Sequence, residues 1–302
     1  MIETKVVDDL TSLVIESNPL HSAFMKRSLH SMRDDTRAEL IDYLSYCLST
    51  GLSLDYLAES YNSFVNDTLT EQMFFTENKR YRWSRFDELA QSVYFDDKYM
   101  RKYMYGLAIT AFLWPNHVAL HDFFIRTFLR GQKGNYLEIG PGHGYYFMQS
   151  AQLGNFERML GIDISASSVA LTRDIVRYFE IEKKCPVKVI QANFLTFREE
   201  GQEYSCIVMG EVLEHVEDPG LFLSTIARLS GPSTHIFMTT CMNAPEIDHI
   251  FLFRTGKDVE KIIKSSGLQI VESCYVPYTG KTLAECEENA LAVNVAYVLR
   301  KA

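Results

Sequence analysis

The sequence predicts an α/β protein, built as a doubly wound, seven-stranded, mostly parallel sheet preceded by an N-terminal all-helical cap. Three observations carry this. The chain reads as helical up to about residue 115, apolar strand-like runs alternate with helical segments from Asn135 onward, and the first such run enters a glycine-rich loop. Strands that alternate with helices demand a parallel sheet covered on both faces.

In the cap, Asp34-Asp35 precede Ala38, Leu40, Ile41, Tyr43, Leu44 and Cys47, and Gly51 closes the segment, which predicts a capped helix. A second helix is expected from near Ser53, carrying Leu54, Tyr56, Leu57, Tyr61, Phe64 and Val65 on its periodic positions. Further helices are expected over 83–93 and 97–113, and an amphipathic helix from His117 to Leu129. Strands are expected at 136–139, 159–162, 187–191, 206–209, 235–240, 268–274 and 291–299. Helices should separate the first five, and the last two should close the sheet as an antiparallel hairpin. The expected division is 1–114 for a helical cap and substrate subdomain, and 115–302 for the sheet domain. No low-complexity linker intervenes, so the two should pack as one body.

Composition narrows the function. The 302 residues are 47% hydrophobic and 23% charged, ordinary for a globular protein, with a formal net charge of −9. Nucleic-acid binding would need a basic stripe. The densest basic stretch, Lys79-Arg80-Tyr81-Arg82 with Arg85, reads as a solvated helix edge. Six scattered cysteines without a Cys-x-x-Cys spacing predict a reducing compartment and no metal site. The acidic N-terminus lacks a signal-peptide lead, and no apolar run approaches the ~20 residues that span a bilayer. A cytoplasmic protein with no membrane contact is expected.

The chemistry concentrates at Leu137-Glu-Ile-Gly-Pro-Gly-His-Gly144. Glycines let the backbone take positive φ and approach a ligand without an intervening Cβ. The spacing is G-x-G-x-G, with Tyr145 where the dinucleotide fingerprint needs its third glycine, so that fingerprint is excluded. Asp163 ends the second strand 19 residues beyond Gly144, near the spacing at which a carboxylate meets ribose hydroxyls.

With Gly161-Ile-Asp-Ile164, Ala192-Asn-Phe194 and Gly210-Glu-Val-Leu-Glu-His-Val-Glu-Asp-Pro219, these motifs make residues 115 to 302 resemble the class I S-adenosylmethionine methyltransferases. The small-molecule branch that includes the ubiquinone and menaquinone biosynthesis enzymes is the most similar. The resemblance implies S-adenosylmethionine as cofactor and S-adenosylhomocysteine as product. It implies that Gly140, Gly142 and Gly144 flank the methionine moiety and that Glu138 organises its ammonium. It further implies Asp163 on the ribose, Ile164 packed on adenine, Asn193 and the Phe194 backbone at the adenine amino group, and Gly210 with Glu211 completing the wall. Asn193 departs from the aspartate often found there, yet an amide still accepts that hydrogen bond.

The cofactor already activates the methyl group, so the protein mainly positions and desolvates. His215 either faces the substrate as a base or bonds the loop structurally. His143 reads as a loop-shaping residue. The segment 243–249 leaves a central strand at its carboxyl end and clusters Glu246, Asp248 and His249, either as a base with its orienting carboxylate or as an ordinary polar loop. Of the aromatic-rich stretch in the cap, most should be core. Tyr81, Arg82, Tyr105 and His117 are the candidate substrate contacts, with Arg82 suited to a carboxylate. The expected reaction is methyl transfer to a small-molecule metabolite held between cap and sheet. One alternative spends the same cofactor by cyclisation or aminocarboxypropyl transfer, releasing methylthioadenosine, and another is a non-catalytic regulatory protein that binds it. The substrate, the accepting atom and the oligomeric state, a homodimer included, are left open.

Overall fold

The computed structural model describes residues 2–198 and 203–302. Six helices come first: α1 (Ile2–Ser17), α2 (Ser22–Ser31), α3 (Asp34–Ser49), α4 (Leu54–Asn78), α5 (Asp97–Leu113) and α6 (Pro115–Phe123). Their starts follow local rules. The Ser53 hydroxyl accepts from the Tyr56 amide to cap α4, Asp96 accepts from the Lys98 and Tyr99 amides to cap α5, and Pro115 opens α6.

Seven strands follow: β1 (Lys133–Ile139), β2 (Asn155–Asp163), β3 (Val187–Gln191), β4 (Tyr204–Met209), β5 (Ser230–Met242), β6 (Leu268–Pro277) and β7 (Val293–Lys301). They form one sheet in the order β3-β2-β1-β4-β5-β7-β6. The five on the β3 side run parallel, while β7 is antiparallel to both neighbours. The flanking helices are α7 (Tyr145–Leu153), α8 (Ala166–Tyr178), α9 (Pro219–Leu229), α10 (Gly256–Ser265) and α11 (Leu283–Asn289).

The sheet separates two cores. One face packs with α9 and α10 through Leu137, Ile207, Leu223, Ile236 and Ile263. The other merges with the cap, so that Tyr43, Tyr61, Phe112 and Phe124 belong to the same buried cluster as Tyr136, Phe147 and Phe237. The cap therefore has no core of its own. No helix among the described residues is long and apolar enough to cross a membrane.

Three local expectations are corrected. The segment 83–93 is a chain of turns around a short 3-10 turn at Phe86–Glu88, because side chains take its backbone amides. Glu88 accepts from the Ser84 and Arg85 amides, and Glu217 accepts from the Phe86 amide. The helix expected over His117–Leu129 is α6 followed by a wider π-helical turn, Phe124–Leu129. The connection from β3 to β4 carries no helix among its described residues. The last two strands pair antiparallel as the expected hairpin, with β7 inserted between β5 and β6.

Candidate active site

The carboxyl ends of β1, β2 and β4 open into a cavity of about 490 Å³ roofed by α5 and α6, where ligands of open α/β sheets bind. The loop after β1 supplies its floor. Gly140, Gly142 and Gly144 have φ of 67°, 54° and 80°. A Cβ at Gly140 would stand 2.8 Å from Cγ2 of Val212, so glycine is required there on both conformational and steric grounds.

Asp163 is locked to this loop. One oxygen accepts from the Gly142 amide at 3.0 Å and the other from the Ser165 amide at 2.8 Å. Burial nevertheless lifts its carboxyl to about 6. Each oxygen keeps a lone pair, so vicinal hydroxyls entering the cavity would add the hydrogen bonds that favour the charged form. Ile164, Asn193, Phe194, Gly210 and Glu211 also line the cavity. The Asn193 Oδ1 accepts from the Leu195 amide at 2.9 Å, which fixes the side-chain orientation. Glu211 sits at φ 50° and leaves its Oε1 buried without a partner.

Two expected cofactor contacts do not line the cavity. Gly144 begins α7 beneath it, packed against Ile175 and Thr172 of α8. Glu138 is buried within the sheet, accepting from the Tyr136 hydroxyl, and desolvation pushes its carboxyl up to about 8. Both support the loop from below.

The cap end of the cavity holds His215 and Asp248. His215 Nδ1 lies 3.1 Å from the Asp248 carbonyl oxygen and 3.4 Å from its Oδ2. Both neighbours are acceptors, so Nδ1 is the nitrogen that carries a proton. Asp248 is 2% exposed, and two cap tyrosines satisfy it. The Tyr103 hydroxyl donates to Oδ1 at 3.0 Å and the Tyr94 hydroxyl to Oδ2 at 3.1 Å.

His249 stands behind this pair. Its Nδ1 lies 2.6 Å from the Ala244 carbonyl, its ring meets His215 edge-on, and burial lowers it to about 3. It is a neutral packing residue outside the cavity lining. Glu214, Cys241 and His249 bring potential metal-ligand atoms within 4.8 Å, as do His215, Asp248 and His249. Protein partners already occupy them, with Thr240 and Cys241 donating to Glu214.

Of the expected substrate contacts, only His117 lines the cavity. Its Nδ1 is 2.8 Å from the Thr110 hydroxyl. Tyr81 is buried against Phe75 and His249, and Tyr105 packs on Tyr56 inside the cap. Arg82 is held by Glu71, with Nε 2.9 Å from Oε1, and lies over the Phe74 ring. The walls are instead Phe86, Tyr94, Met100, Tyr103, Met104 and Leu107. The periodic apolar positions of α5 could have flagged Met100, Tyr103, Met104 and Leu107, but nothing in the sequence says which of them face a cavity.

A parallel sheet with an antiparallel strand inserted next to its end, a positive-φ glycine loop after β1 and an acid at the end of β2 define the class I S-adenosylmethionine-dependent architecture. The residues present fit that cofactor, since the loop admits close backbone approach and Asp163 retains acceptor capacity for a ribose. The profile of the methyltransferase domain family matches residues 116–273, and the chain belongs to that family, with S-adenosylmethionine as its cofactor. A ubiquinone biosynthesis O-methyltransferase of Proteus mirabilis (strain HI4320) is 29% identical over 105 residues, 34% of this chain. The chain spans about 40% of the length of that curated relative. Among solved structures, the mitomycin 7-O-methyltransferase MmcR superposes with a TM-score of 0.54 at 12% identity, covering 82% of this chain and 70% of that one. A chain from the complex of the Haloferax volcanii Trm112 methyltransferase activator with a methyltransferase gives 0.52 at 12% identity, covering 69% and 98%. These two likenesses establish the fold.

Proposed function

We propose that the protein transfers the methyl group of S-adenosylmethionine to an oxygen of a small, uncharged, largely apolar molecule held between the helical cap and the strand ends. The observation that carries this reading is the continuity of the cavity, which joins the glycine loop at one end to the His215–Asp248 pair at the other. Among the described residues that line it, none is a lysine or arginine. An anionic substrate would meet carboxylates without a compensating cation, so the carboxylate expected for Arg82 is replaced by a neutral molecule. The name of the Proteus mirabilis relative supports oxygen as the acceptor.

When bound, the cofactor supplies a sulfonium-activated methyl group. The chain's own residues do the rest. In this reading Gly140 and Gly142 let the backbone close on the methionine moiety, Asp163 holds the ribose, Ile164, Asn193 and Phe194 enclose the adenine, and Gly210 with Glu211 forms the wall. Gly144 and Glu138 act beneath as supports. Met100, Met104 and Leu107 exclude water and press the substrate toward the loop. His215 Nε2 takes the hydroxyl proton as the oxygen attacks, and Asp248 stabilises the imidazolium and fixes its tautomer. Asp248 is thus a positioning residue. His117 is kept as a substrate contact, and Tyr81, Arg82, Tyr105 and His249 are not.

Incubating the protein and trideuteromethyl-S-adenosylmethionine with a metabolite extract tests this by mass spectrometry. The expected product is an uncharged hydroxyl compound that gains one labelled methyl, formed in step with S-adenosylhomocysteine. Release of methylthioadenosine would replace this reading with a non-methylating reaction, and tight cofactor binding without any consumption would replace it with a regulatory role.

A further inference from the structure

The methionine end of the cavity presents an electrostatic problem. A bound amino-acid tail carries an α-carboxylate, yet the lining holds no lysine or arginine among the described residues. The glycine amides of the loop are already engaged. Gly140 donates to the Ile162 carbonyl, Gly142 to Asp163, and Gly144 to the Pro141 carbonyl.

Four side chains that line the cavity, those of His121, His143, Ser168 and Glu211, are left with unused hydrogen-bonding capacity. The Nδ1 atoms of His121 and His143, the Oγ of Ser168 and the Oε1 of Glu211 are buried without partners. Neither histidine ring makes a hydrogen bond among the described residues. Buried polar groups are rarely orphaned in a folded protein, so orphans gathered around one cavity point to a ligand that completes them. His121 is held for the purpose. It is 8% exposed, and its ring stacks on Tyr146 at 4.4 Å and meets Tyr145 at 4.3 Å. Tyr146 in turn packs so closely on Gly210 that a Cβ there would stand 2.7 Å from the ring, which ties His121 to the strand end that carries Glu211. Burial keeps both imidazoles neutral, with His143 pushed down to about 4.

We propose that His121 and His143 donate to the α-carboxylate of the cofactor and that Glu211 accepts from its α-ammonium. Two neutral imidazoles thereby stand where a cationic side chain would otherwise serve. The physical reason is that the tail is a zwitterion and needs no net charge from the protein, while a buried cation would repel the nearby sulfonium. The inference rests on the cofactor assignment and not on the identity of the methyl acceptor.

Calorimetry with two probes tests it: S-adenosylhomocysteine, which carries the amino-acid tail, and methylthioadenosine, which lacks it. The full chain should bind S-adenosylhomocysteine at least on the order of tenfold more tightly. His121→Phe keeps the stacking on the tyrosines but removes the donor. It should weaken S-adenosylhomocysteine by roughly tenfold and leave methylthioadenosine unchanged, with His121→Gln restoring part of the loss. Glu211→Gln, nearly isosteric and so conservative for folding, should likewise erode only the preference for the tail. Equal weakening of both probes would mean a purely structural role and would overturn the proposal, as would unchanged affinity for both. Failure of the unmodified chain to bind either probe would bring down the cofactor assignment and this inference together.

Discussion

The two ends of the cavity are built by different means. The loop end is backbone geometry, made within about thirty consecutive residues by three positive-φ glycines and one carboxylate that accepts from main-chain amides. The cap end is side-chain geometry. Asp248 is held by Tyr103 and Tyr94, which lie 145 and 154 residues away in the chain, and His215 reaches it across 33. The contrast teaches that the glycine loop and its carboxylate form a local, self-contained motif, whereas the His215–Asp248 end depends on contacts that exist only once the cap has docked. Damage to one end should therefore leave a recognisable signature distinct from damage to the other.

The largest expected effect separates chemistry from binding. His215→Gln should lower methyl transfer by about 10²–10⁴-fold, the usual worth of a positioned base, while S-adenosylhomocysteine affinity stays within about twofold. A parallel loss of cofactor affinity, read by calorimetry, would dissolve the distinction between the ends. Gly140→Val should do the converse. The added side chain meets Val212 in a backbone conformation that disfavours it, and cofactor affinity should fall by on the order of a hundredfold.

A smaller effect probes the link between cap and sheet. Tyr103→Phe removes one of the two hydroxyls on Asp248 and should cost about 1–2 kcal/mol of stability in a urea titration. Turnover should fall by roughly tenfold with little change in cofactor affinity, because the loop end does not use this contact. If stability and turnover were both unchanged, the cap tyrosines would not be positioning Asp248.

The smallest effect is a slope. Glu138 has an ordinary value near 4.5 and is pushed to about 8 in the fold, so the folded state retains a proton that the unfolded chain releases. Its contribution is fully present below about pH 4.5 and declines as pH rises toward 8. The buried histidines work in the opposite sense. His117 and His143 are lowered from 6.5 to about 4, so their contribution is present above 6.5 and is lost as pH falls through that window. Glu138→Gln should flatten the alkaline decline and leave the acidic one intact, as measured by denaturant titrations at pH 5, 6.5 and 8.

Legibility followed the same divide. The strand positions, the glycine loop and Asp163 could be read in advance because each depends on neighbours close in sequence. The insertion of β7 between β5 and β6 could not be, since hydrophobic patterning shows that a strand is buried but not which strands flank it. Arg82 illustrates the failure at the substrate end. A guanidinium near aromatics suggested a carboxylate grip, but Glu71 on α4 had already taken it. Tyr94 and Tyr103 were visible only as members of an aromatic-rich stretch, and His121 carried no sequence signal at all.

Local sequence by itself determined the class of fold, the conformation of residues 140–144 and the family to which the chain belongs. These rest on φ preferences, periodicity and short spacings that neighbouring residues enforce on one another. Tertiary structure alone decided which cap side chains face the cavity, which histidine lines it beside Asp248 and which is walled off behind it, and the absence of a lysine or arginine from the described lining. Those depend on how α5 and α6 dock on the sheet, and the merged core beneath them sets that docking through contacts such as Phe123 with Phe237, more than a hundred positions apart in the chain.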